Sequence, residues 1–146
     1  LSSLDGSNGF RIDGAAAGDL LGLSVSNAGD VNGDGFDDVI IGAPSADPHG
    51  EASGSSYVLF GKADGFDAQI NLSGLDGNNG FRLDGANEND VSGLFVSTAG
   101  DVNGDGFDDV IISADGYYGD NSYVVFGNAA GFIVAPDHKT GDVLQK

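Results

Sequence analysis

A segment of twelve residues occurs twice in this chain without change, and its side chains are of the kind that bind calcium. The segment Asp-Val-Asn-Gly-Asp-Gly-Phe-Asp-Asp-Val-Ile-Ile spans Asp30–Ile41 and returns at Asp101–Ile112. Its positions 1, 3, 5 and 9 carry side-chain oxygens and position 7 can add a backbone carbonyl, whereas calcium takes roughly six to eight oxygen ligands. The predicted ligands are Asp30, Asn32, Asp34, Phe36 and Asp38 in the first loop, and Asp101, Asn103, Asp105, Phe107 and Asp109 in the second. The sequence therefore predicts two calcium ions per chain.

Asp, Asn and Gly are also common in ordinary turns, where their side chains bond the local backbone. A turn needs one or two such residues, whereas each loop has four at alternating positions. The carboxylates of Asp30, Asp34, Asp37 and Asp38 would repel one another without a cation among them. We therefore expect the loop to loosen when its metal is removed.

The end of each loop separates it from an EF-hand. Gly35 and Gly106 stand at the sixth position, where an EF-hand turns sharply, but Ile41 and Ile112 replace its bidentate Glu at the twelfth. The Val-Ile-Ile run favours a strand, and no amphipathic helix flanks either loop. An EF-hand or a dockerin-like helical pair is disfavoured, and the calcium is expected in a connection between two strands.

The repeat extends well beyond the loops. Leu4–Gly14 returns as Leu75–Gly85 with the same offset of 71 residues as the loops. Ser56–Gly61 returns as Ser122–Gly127 with an offset of 66, so the second copy is five residues shorter before that segment. The deletion falls between Ala114 and Asn121 and predicts a surface connection there, because loops tolerate changes of length.

Each repeat predicts four short strands in an antiparallel sheet. The predicted strands are Leu21–Asn27, Asp38–Ala43, Ser56–Gly61 and Phe81–Asp84 in the first repeat, Ser92–Thr98, Asp109–Ala114 and Ser122–Gly127 in the second, and Phe10–Asp13 before them. The second and third strands of each repeat are almost continuously apolar, which indicates that both of their faces are covered. Four antiparallel strands in about 70 residues are typical of a propeller blade.

These residues resemble the FG-GAP repeats that build the β-propeller of integrin alpha subunits and of many large bacterial surface proteins. In the first repeat the resemblance rests on Gly22, the loop Asp30–Asp38, the triplet Gly42-Ala43-Pro44 and the strand Ser56–Gly61. The second repeat retains Gly93, Asp101–Asp109 and Ser122–Gly127. It differs at Ser113-Ala114-Asp115, where we expect a turn of another shape. The resemblance implies one calcium in each loop, on the positions derived above.

The expected fold is all-β, with two four-stranded antiparallel blades that are closed by oligomerisation or belong to a larger propeller. Residues 1–14 would complete a neighbouring blade, residues 15–85 form the first blade, residues 86–132 form a second blade without its own fourth strand, and residues 133–146 form a tail. Open blade edges pair readily with other chains. The sequence therefore predicts self-association, in which three chains would give six blades or four would give eight.

The composition excludes several kinds of partner. The chain has 5 Lys and Arg against 23 Asp and Glu, for a formal net charge of −18. This charge argues against nucleic acid and against anionic membrane surfaces. The chain has no Cys and therefore no disulfide, and no apolar run approaches the ~20 residues of a membrane helix, so no membrane insertion is expected. We expect a secreted or cell-surface protein.

A few residues outside the loops were considered for function. Arg11 and Arg82 lie beside Asp13 and Asp84 and predict local ion pairs. The loop of residues 45–53 with His49, and the pair Tyr117 and Tyr118, could contact a protein or glycan ligand, although His49 and His138 are interpreted as solvated.

No arrangement typical of catalysis is present in the sequence. There is no Gly-x-Ser-x-Gly segment and no Cys, and the paired Asp residues fall within the calcium loops. The sequence therefore predicts a noncatalytic adhesion or scaffolding module. The alternative is a calcium-dependent, lectin-like carbohydrate-binding propeller, or a non-catalytic part of a carbohydrate-active protein.

Overall fold

The computed structural model describes residues 1–117, 119–130, 132–133 and 144–145. These residues form β-strands, one short 3₁₀ turn and connecting loops, with no α-helix among them. The strands are β1 (Arg11–Asp13), β2 (Val25–Gly29), β3 (Asp38–Ala43), β4 (Ser55–Leu59), β5 (Gln69–Asn71), β6 (Gly80–Asp84), β7 (Ser92–Gly100), β8 (Asp109–Gly116), β9 (Gly119–Val125), β10 (Phe132–Ile133) and β11 (Leu144–Gln145). The 3₁₀ turn spans Leu72–Gly74. No helix in this part of the chain is long and apolar enough to cross a membrane.

The first repeat forms a four-stranded antiparallel sheet in the order β2-β3-β4-β6. The β-branched run Val39-Ile40-Ile41 places β3 in the middle of this sheet, where Ile40 lies opposite Val58 of β4. Strand β6 completes the sheet, with Phe81 opposite Val58. The predicted fourth strand of the first blade is therefore confirmed.

The second repeat forms a three-stranded antiparallel sheet in the order β7-β8-β9. Its middle strand β8 repeats the sequence of β3 and pairs Ile111 with Val124 and Val110 with Val125. Among the described residues, no strand pairs with the outer edge of β9. The two sheets together are the all-β, blade-type fold that the sequence predicts.

The main core lies between the two sheets. Ile40 and Val58 of the first sheet belong to the same buried cluster as Val96, Val110 and Ile112 of the second. Burial of a Val or Ile side chain contributes about 1.5–3 kcal/mol. The contact between the sheets is therefore a large part of what stabilises this chain without disulfides.

A second cluster covers part of the other face of the first sheet. Tyr57 of β4 packs there with Leu72, and Ile12, Leu21 and Leu75 lie against them, partly buried. Strand β1 is held beside this cluster by parallel pairing with β5. Neither β5 nor this parallel pair was predicted, because a run of three residues such as Gln69–Asn71 has no recognisable period.

The sequence prediction was wrong in several details of the strands. The third strands span Ser55–Leu59 and Gly119–Val125 and not Ser56–Gly61 and Ser122–Gly127. The first strand of the first repeat begins at Val25 and not at Leu21, because residues 21–24 form a turn and bends. The predicted cover of both faces holds for β3 and β4, which are buried apart from Val39, but not for β9, which is almost entirely exposed.

The deletion in the second repeat falls at a surface turn, as the sequence predicts. Strands β8 and β9 pair as far as Gly116 opposite Gly119, so that a short hairpin replaces the longer connection of the first repeat. Ser113-Ala114-Asp115 therefore continues the strand, whereas the equivalent triplet leads into a turn at Pro44.

The division into residues 1–14, 15–85, 86–132 and 133–146 remains a prediction. Most of the predicted tail, including His138, lies outside the described residues. Within the part that is described, Ile133 pairs with Leu144 in the two-stranded β10-β11 sheet.

Candidate calcium-binding loops

The first loop follows β2 and is curled tightly around the carboxylate of Asp30. Asp30 Oδ1 accepts hydrogen bonds from the backbone N–H of Gly33 at 2.7 Å and of Asp34 at 3.0 Å, and Oδ2 accepts one from Gly35 at 2.9 Å. Gly33 and Gly35 have positive φ values of 76° and 89°, which glycine adopts without strain. The glycines thus allow the sharp turn that the backbone makes around Asp30.

The other predicted ligands of this loop are connected to one another. Asn32 Oδ1 accepts the Asp34 N–H at 3.1 Å, and Asn32 Nδ2 donates to Asp34 Oδ2 at 3.0 Å. Asp34 Oδ1 accepts the N–H of Phe36 at 2.9 Å. Asp30, Asn32 and Asp34 therefore form one local hydrogen-bonded network.

The second loop repeats this network bond for bond. Asp101 accepts the N–H groups of Gly104, Asp105 and Gly106 at 2.7, 3.0 and 2.9 Å. Asn103 bonds to Asp105 through both its amide atoms. Identical sequences thus fold identically, even though the first loop contacts the second sheet and the second loop is mainly exposed.

Asp38 lies at the base of the first loop and is buried. Its Oδ2 accepts the N–H of Val31 at 2.9 Å, and its Oδ1 accepts the N–H of Gly61 at 2.8 Å. Burial raises the pKa of Asp38 to about 6, although these two backbone N–H groups lower it, and the charges of Asp34 and Asp30 raise it further. A cation bound at the loop would favour the charged form of Asp38 and so offset the effects of burial and of the neighbouring carboxylates on its pKa.

Asp109 has the same position in the second loop. Its Oδ2 accepts the N–H of Val102 at 2.8 Å and its Oδ1 accepts the N–H of Gly127 at 3.0 Å. Both Asp38 and Asp109 therefore tie a loop to the end of the third strand of its sheet. The spacing of the loop residues predicts Asp38 and Asp109 only as ligands. The repeated Gly61 and Gly127 are the sign in the sequence of their second role.

The donor atoms of the two loops suit calcium. Each loop offers carboxylate, amide and carbonyl oxygens and no nitrogen or sulfur ligand, which is the hard-oxygen set that calcium prefers. Two of the three predicted carboxylate ligands of the first loop, Asp30 and Asp34, are held on the loop by its own N–H groups. Within the described residues, no group of three or more Asp, Glu, His or Cys side chains converges closely enough to hold a metal.

The two loops are also connected to each other. The backbone N–H of Asp30 donates to Asp108 Oδ2 at 2.9 Å, and the N–H of Asp108 donates to the carbonyl of Asp30 at 3.1 Å. The sequence analysis did not assign a role to Asp108, which stands at position 8 of the second loop. Its partner lies 78 residues away along the chain, so nothing local in the sequence indicated the contact.

The predicted ion pairs are confirmed. Arg11 Nε lies 2.7 Å from Asp13 Oδ1, and Arg82 reaches Asp84 Oδ2 at 2.7 Å. Asp84 also accepts a hydrogen bond from the hydroxyl of Ser55, which connects β6 to β4. Such local pairs contribute little stability, about 0–1 kcal/mol, and their place on outer strands indicates a structural role.

The two loop regions predicted as ligand contacts both border Asn89, whose N–H donates to the carbonyl of Glu51 and whose carbonyl accepts the N–H of Tyr117. His49 is half-buried rather than solvated, because its Nδ1 lies 2.8 Å from the carbonyl of Gly85. Tyr117 is exposed at the β8–β9 turn, and Tyr118 lies outside the described residues.

A cavity of about 270 Å³ borders the first loop. Asp34, Lys62, Phe66 and Asn79 are among the residues that line it. The Lys62 ammonium lies 5.2 Å from the centre of the Phe66 ring, so both side chains are engaged with each other there.

Comparison with known proteins identifies the repeat. The sequence pattern of the FG-GAP repeat matches residues 21–59 and 92–131, which is more than half of the chain. Integrin alpha-PS2 of Drosophila melanogaster is 32% identical over 137 residues, covering 88% of this chain and 9% of that protein. Human integrin alpha-6 is 31% identical over 128 residues, covering 85% of this chain and 10% of that protein. This chain spans only about a tenth of the length of the relatives it matches. Because the repeat pattern covers more than half of its residues, the chain belongs to the FG-GAP repeat family.

Proposed function

We propose that this chain is a calcium-binding β-propeller module for extracellular adhesion or scaffolding, in which calcium acts structurally in the loops Asp30–Asp38 and Asp101–Asp109. One observation carries this proposal. The same oxygen-rich loop occurs twice, and in both copies the backbone holds Asp30 or Asp101 at the centre of a tight curl.

The residues that would hold calcium are those derived from the loop positions. Asp30, Asn32, Asp34, Asp38 and the carbonyl of Phe36 would hold it in the first loop, and the equivalent residues would do so in the second. The ion would supply positive charge among carboxylates that otherwise repel one another. It would thereby fix the connection between the first two strands of each blade.

The module is proposed to be noncatalytic. Integrin alpha-PS2 and integrin alpha-6 carry the similar repeats, and nothing in the described loops combines a nucleophile with a base. The acidic surface favours an extracellular role in which the loops and sheet faces contact other proteins.

Calorimetric titration with calcium tests the proposal. We expect two sites per chain with dissociation constants of about 10⁻⁵ to 10⁻³ M, weaker than buffer EF-hands because the bidentate twelfth ligand is replaced by Ile41 and Ile112. Magnesium should compete poorly, because it requires tight octahedral geometry. Absence of heat and of any spectroscopic change at millimolar calcium would refute the proposal.

A further inference from the structure

Two apolar surfaces of the chain are exposed although their equivalents in the other repeat are buried. On the first sheet, Val25 and Val39 are 64% and 38% exposed. Their equivalents one repeat later, Val96 and Val110, are 7% and 0% exposed because they face the core between the sheets. We call Val25 and Val39 the first outer face.

The second sheet shows the opposite pattern. Val124 and Phe126 are each 44% exposed, whereas their first-repeat equivalents Val58 and Phe60 are 0% and 5% exposed in the core. We call Val124 and the neighbouring Ile111 the second outer face. Inside the chain, the residues equivalent to the two outer faces pack against each other in one core. The two outer faces should therefore fit each other in the same way.

Strand β1 is the equivalent of β6 one repeat earlier. Strand β1 lies beside the first sheet, and β6, although it belongs to the first sheet, lies beside the second sheet in the same way. Phe81 of β6 stacks on Phe132 at 3.7 Å, and the equivalent Phe10 stacks on Phe66 at 4.3 Å. Strand β6 also pairs with β4. Strand β1 pairs with β5 along one edge, and among the described residues nothing pairs with its other edge. It therefore has the position of a fourth strand for a blade that precedes the first sheet.

We propose that a second copy of this chain docks on these surfaces: β1 of one copy adds to the outer edge of β9 of the next, and the first outer face of one packs on the second outer face of the other. The β4–β6 register sets the expected pairing. The cross-copy pairs are Phe10 with Val124, Arg11 with Tyr123, Ile12 with Ser122, and Asp13 with Asn121.

The calcium loops extend this complementarity. Inside the chain, Asp108 accepts the N–H of Asp30. The equivalent bond between copies joins Asp37, which is exposed, to the N–H of Asp101.

Space is available on the loops for the same contact. A Cβ on Gly33 would collide with the ring of Phe107 from the second loop, whereas the space around the equivalent Gly104 is open. Phe36, the equivalent of Phe107, is 41% exposed and can occupy that space in a neighbouring copy.

The contact between copies differs from the contact within the chain at the opposite end of the sheets. Gly42 of β3 closely approaches the carbonyl of Gly93, but Ser113 stands at the equivalent position of β8. The connection that follows Ser113 is also five residues shorter. The docked copies therefore meet chiefly at the end that carries the calcium loops, and variants for testing belong there.

The mass in solution is the first test. At about 100 µM chain in calcium and 0.5 M NaCl, which screens the charge of −18 per chain, we expect a discrete multiple of 14.6 kDa by light scattering. Val39→Asp and Val124→Asp should each lower the mass to that of one chain. Each variant should still unfold cooperatively because both side chains are exposed, although its melting temperature falls by the stabilisation that assembly gives the wild type. Ala16→Asp adds the same charge at an exposed position whose equivalent, Asn87, is also exposed, and it should assemble normally. A folded wild-type monomer would overturn the proposal.

Disulfide trapping tests the register. The chain has no Cys, so Arg11→Cys and Tyr123→Cys each introduce a single thiol. Directly opposed residues of antiparallel strands lie about 4.5–5.5 Å apart, within disulfide range. An oxidised mixture of the two variants should give a cross-linked dimer much faster than either variant alone.

A mixture of Ala16→Cys and Tyr123→Cys is the matched control. Equal cross-linking in the control, or faster cross-linking of a single variant with itself, would overturn the proposed pairing. The two proposals fail separately. A calcium-loaded chain that is monomeric by light scattering would overturn the docking alone, and an assembly that binds no calcium by calorimetry would overturn the metal sites alone.

Discussion

Asp38 and Asp109 each bind two backbone N–H groups from separate parts of a blade, so their role in stability can be separated from a role as metal ligands. Asp38→Asn keeps the size of the side chain but directs an amide NH₂ towards an N–H donor. We expect the free energy of unfolding in chelator to fall by about 1–3 kcal/mol, the cost of a buried unsatisfied polar group.

Urea denaturation in the absence of calcium measures this effect, with Asp37→Asn as the control because Asp37 is the exposed neighbour in the same loop. Equal effects of the two substitutions would show that the bonds to Val31 and Gly61 do not matter.

Asp34 and Asp105 lie at the exposed side of their loops, so their removal should affect the metal more than the fold. Asp34→Ala and Asp105→Ala are each expected to reduce the calcium bound from two ions per chain to one, as measured by calorimetry or by flow dialysis. Asp64→Ala removes the same charge outside the loops and should leave two ions bound. Two ions bound to the Asp34→Ala variant would contradict the assignment of the first loop.

The tight turn of each loop could be predicted from the sequence because the information is local, whereas the assignment of its calcium ligands remains a prediction. Alternating oxygen side chains and the glycines at positions 4 and 6 specify the curl around Asp30 and Asp101. The contact of Asp108 with Asp30 and the bond from Gly61 to Asp38 depend on how distant strands pack. No periodicity within the loop encodes them.

At the scale of the strands, Gly42 marks where two sheets approach most closely. A Cβ on Gly42 would collide with the backbone carbonyl of Gly93, so Gly42→Ala has to push β3 away from β7. We expect a loss of about 1–3 kcal/mol in unfolding free energy, as for other overpacked cores. Gly74→Ala is the matched control, because its Cβ would meet nothing within 4 Å. Similar losses for the two variants would disprove the close approach.

The strands with a β-branched centre were predicted almost to the residue. Strand β3 spans Asp38–Ala43 as expected, and β8 exceeds its predicted end at Ala114 by two residues. Short strands were less predictable. Strand β5 is defined by its pairing with β1. Strand β4 is buried and β9 is exposed because other parts of the chain pack on β4 but not on most of β9, and this difference cannot be read from their similar sequences.

For the whole molecule, calcium should be the main adjustable source of stability. A ligand that binds only the folded state adds about 2.7 kcal/mol per site at a hundredfold excess over its dissociation constant. Chelation should therefore lower the melting temperature markedly, and the loss should be reversed by calcium but only weakly by magnesium. A melting curve that chelator leaves unmoved would show that the loops are not structural metal sites.

Charge repulsion across the molecule provides a separate prediction. With a net charge of −18, the calcium-free chain should melt at a higher temperature as NaCl is raised from about 0.02 to 0.5 M, because salt screens the repulsion. The same series in saturating calcium should show a smaller rise, since two bound ions neutralise part of the charge. A larger rise with calcium than without it would contradict this account.

The pair of bonds between Asp30 and Asp108 means that the two loops do not respond independently. Each loop contributes one N–H and one acceptor to the other, so ordering of the first loop by a bound ion also positions residues of the second. Binding of the two ions is thus expected to be positively cooperative, with a coupling free energy that must be the same in both directions. Between docked copies, the equivalent Asp37–Asp101 bond connects the calcium loops in the same way. The coupling then passes from one copy to the next, and the assembly binds calcium over a narrower range of concentration than one chain does.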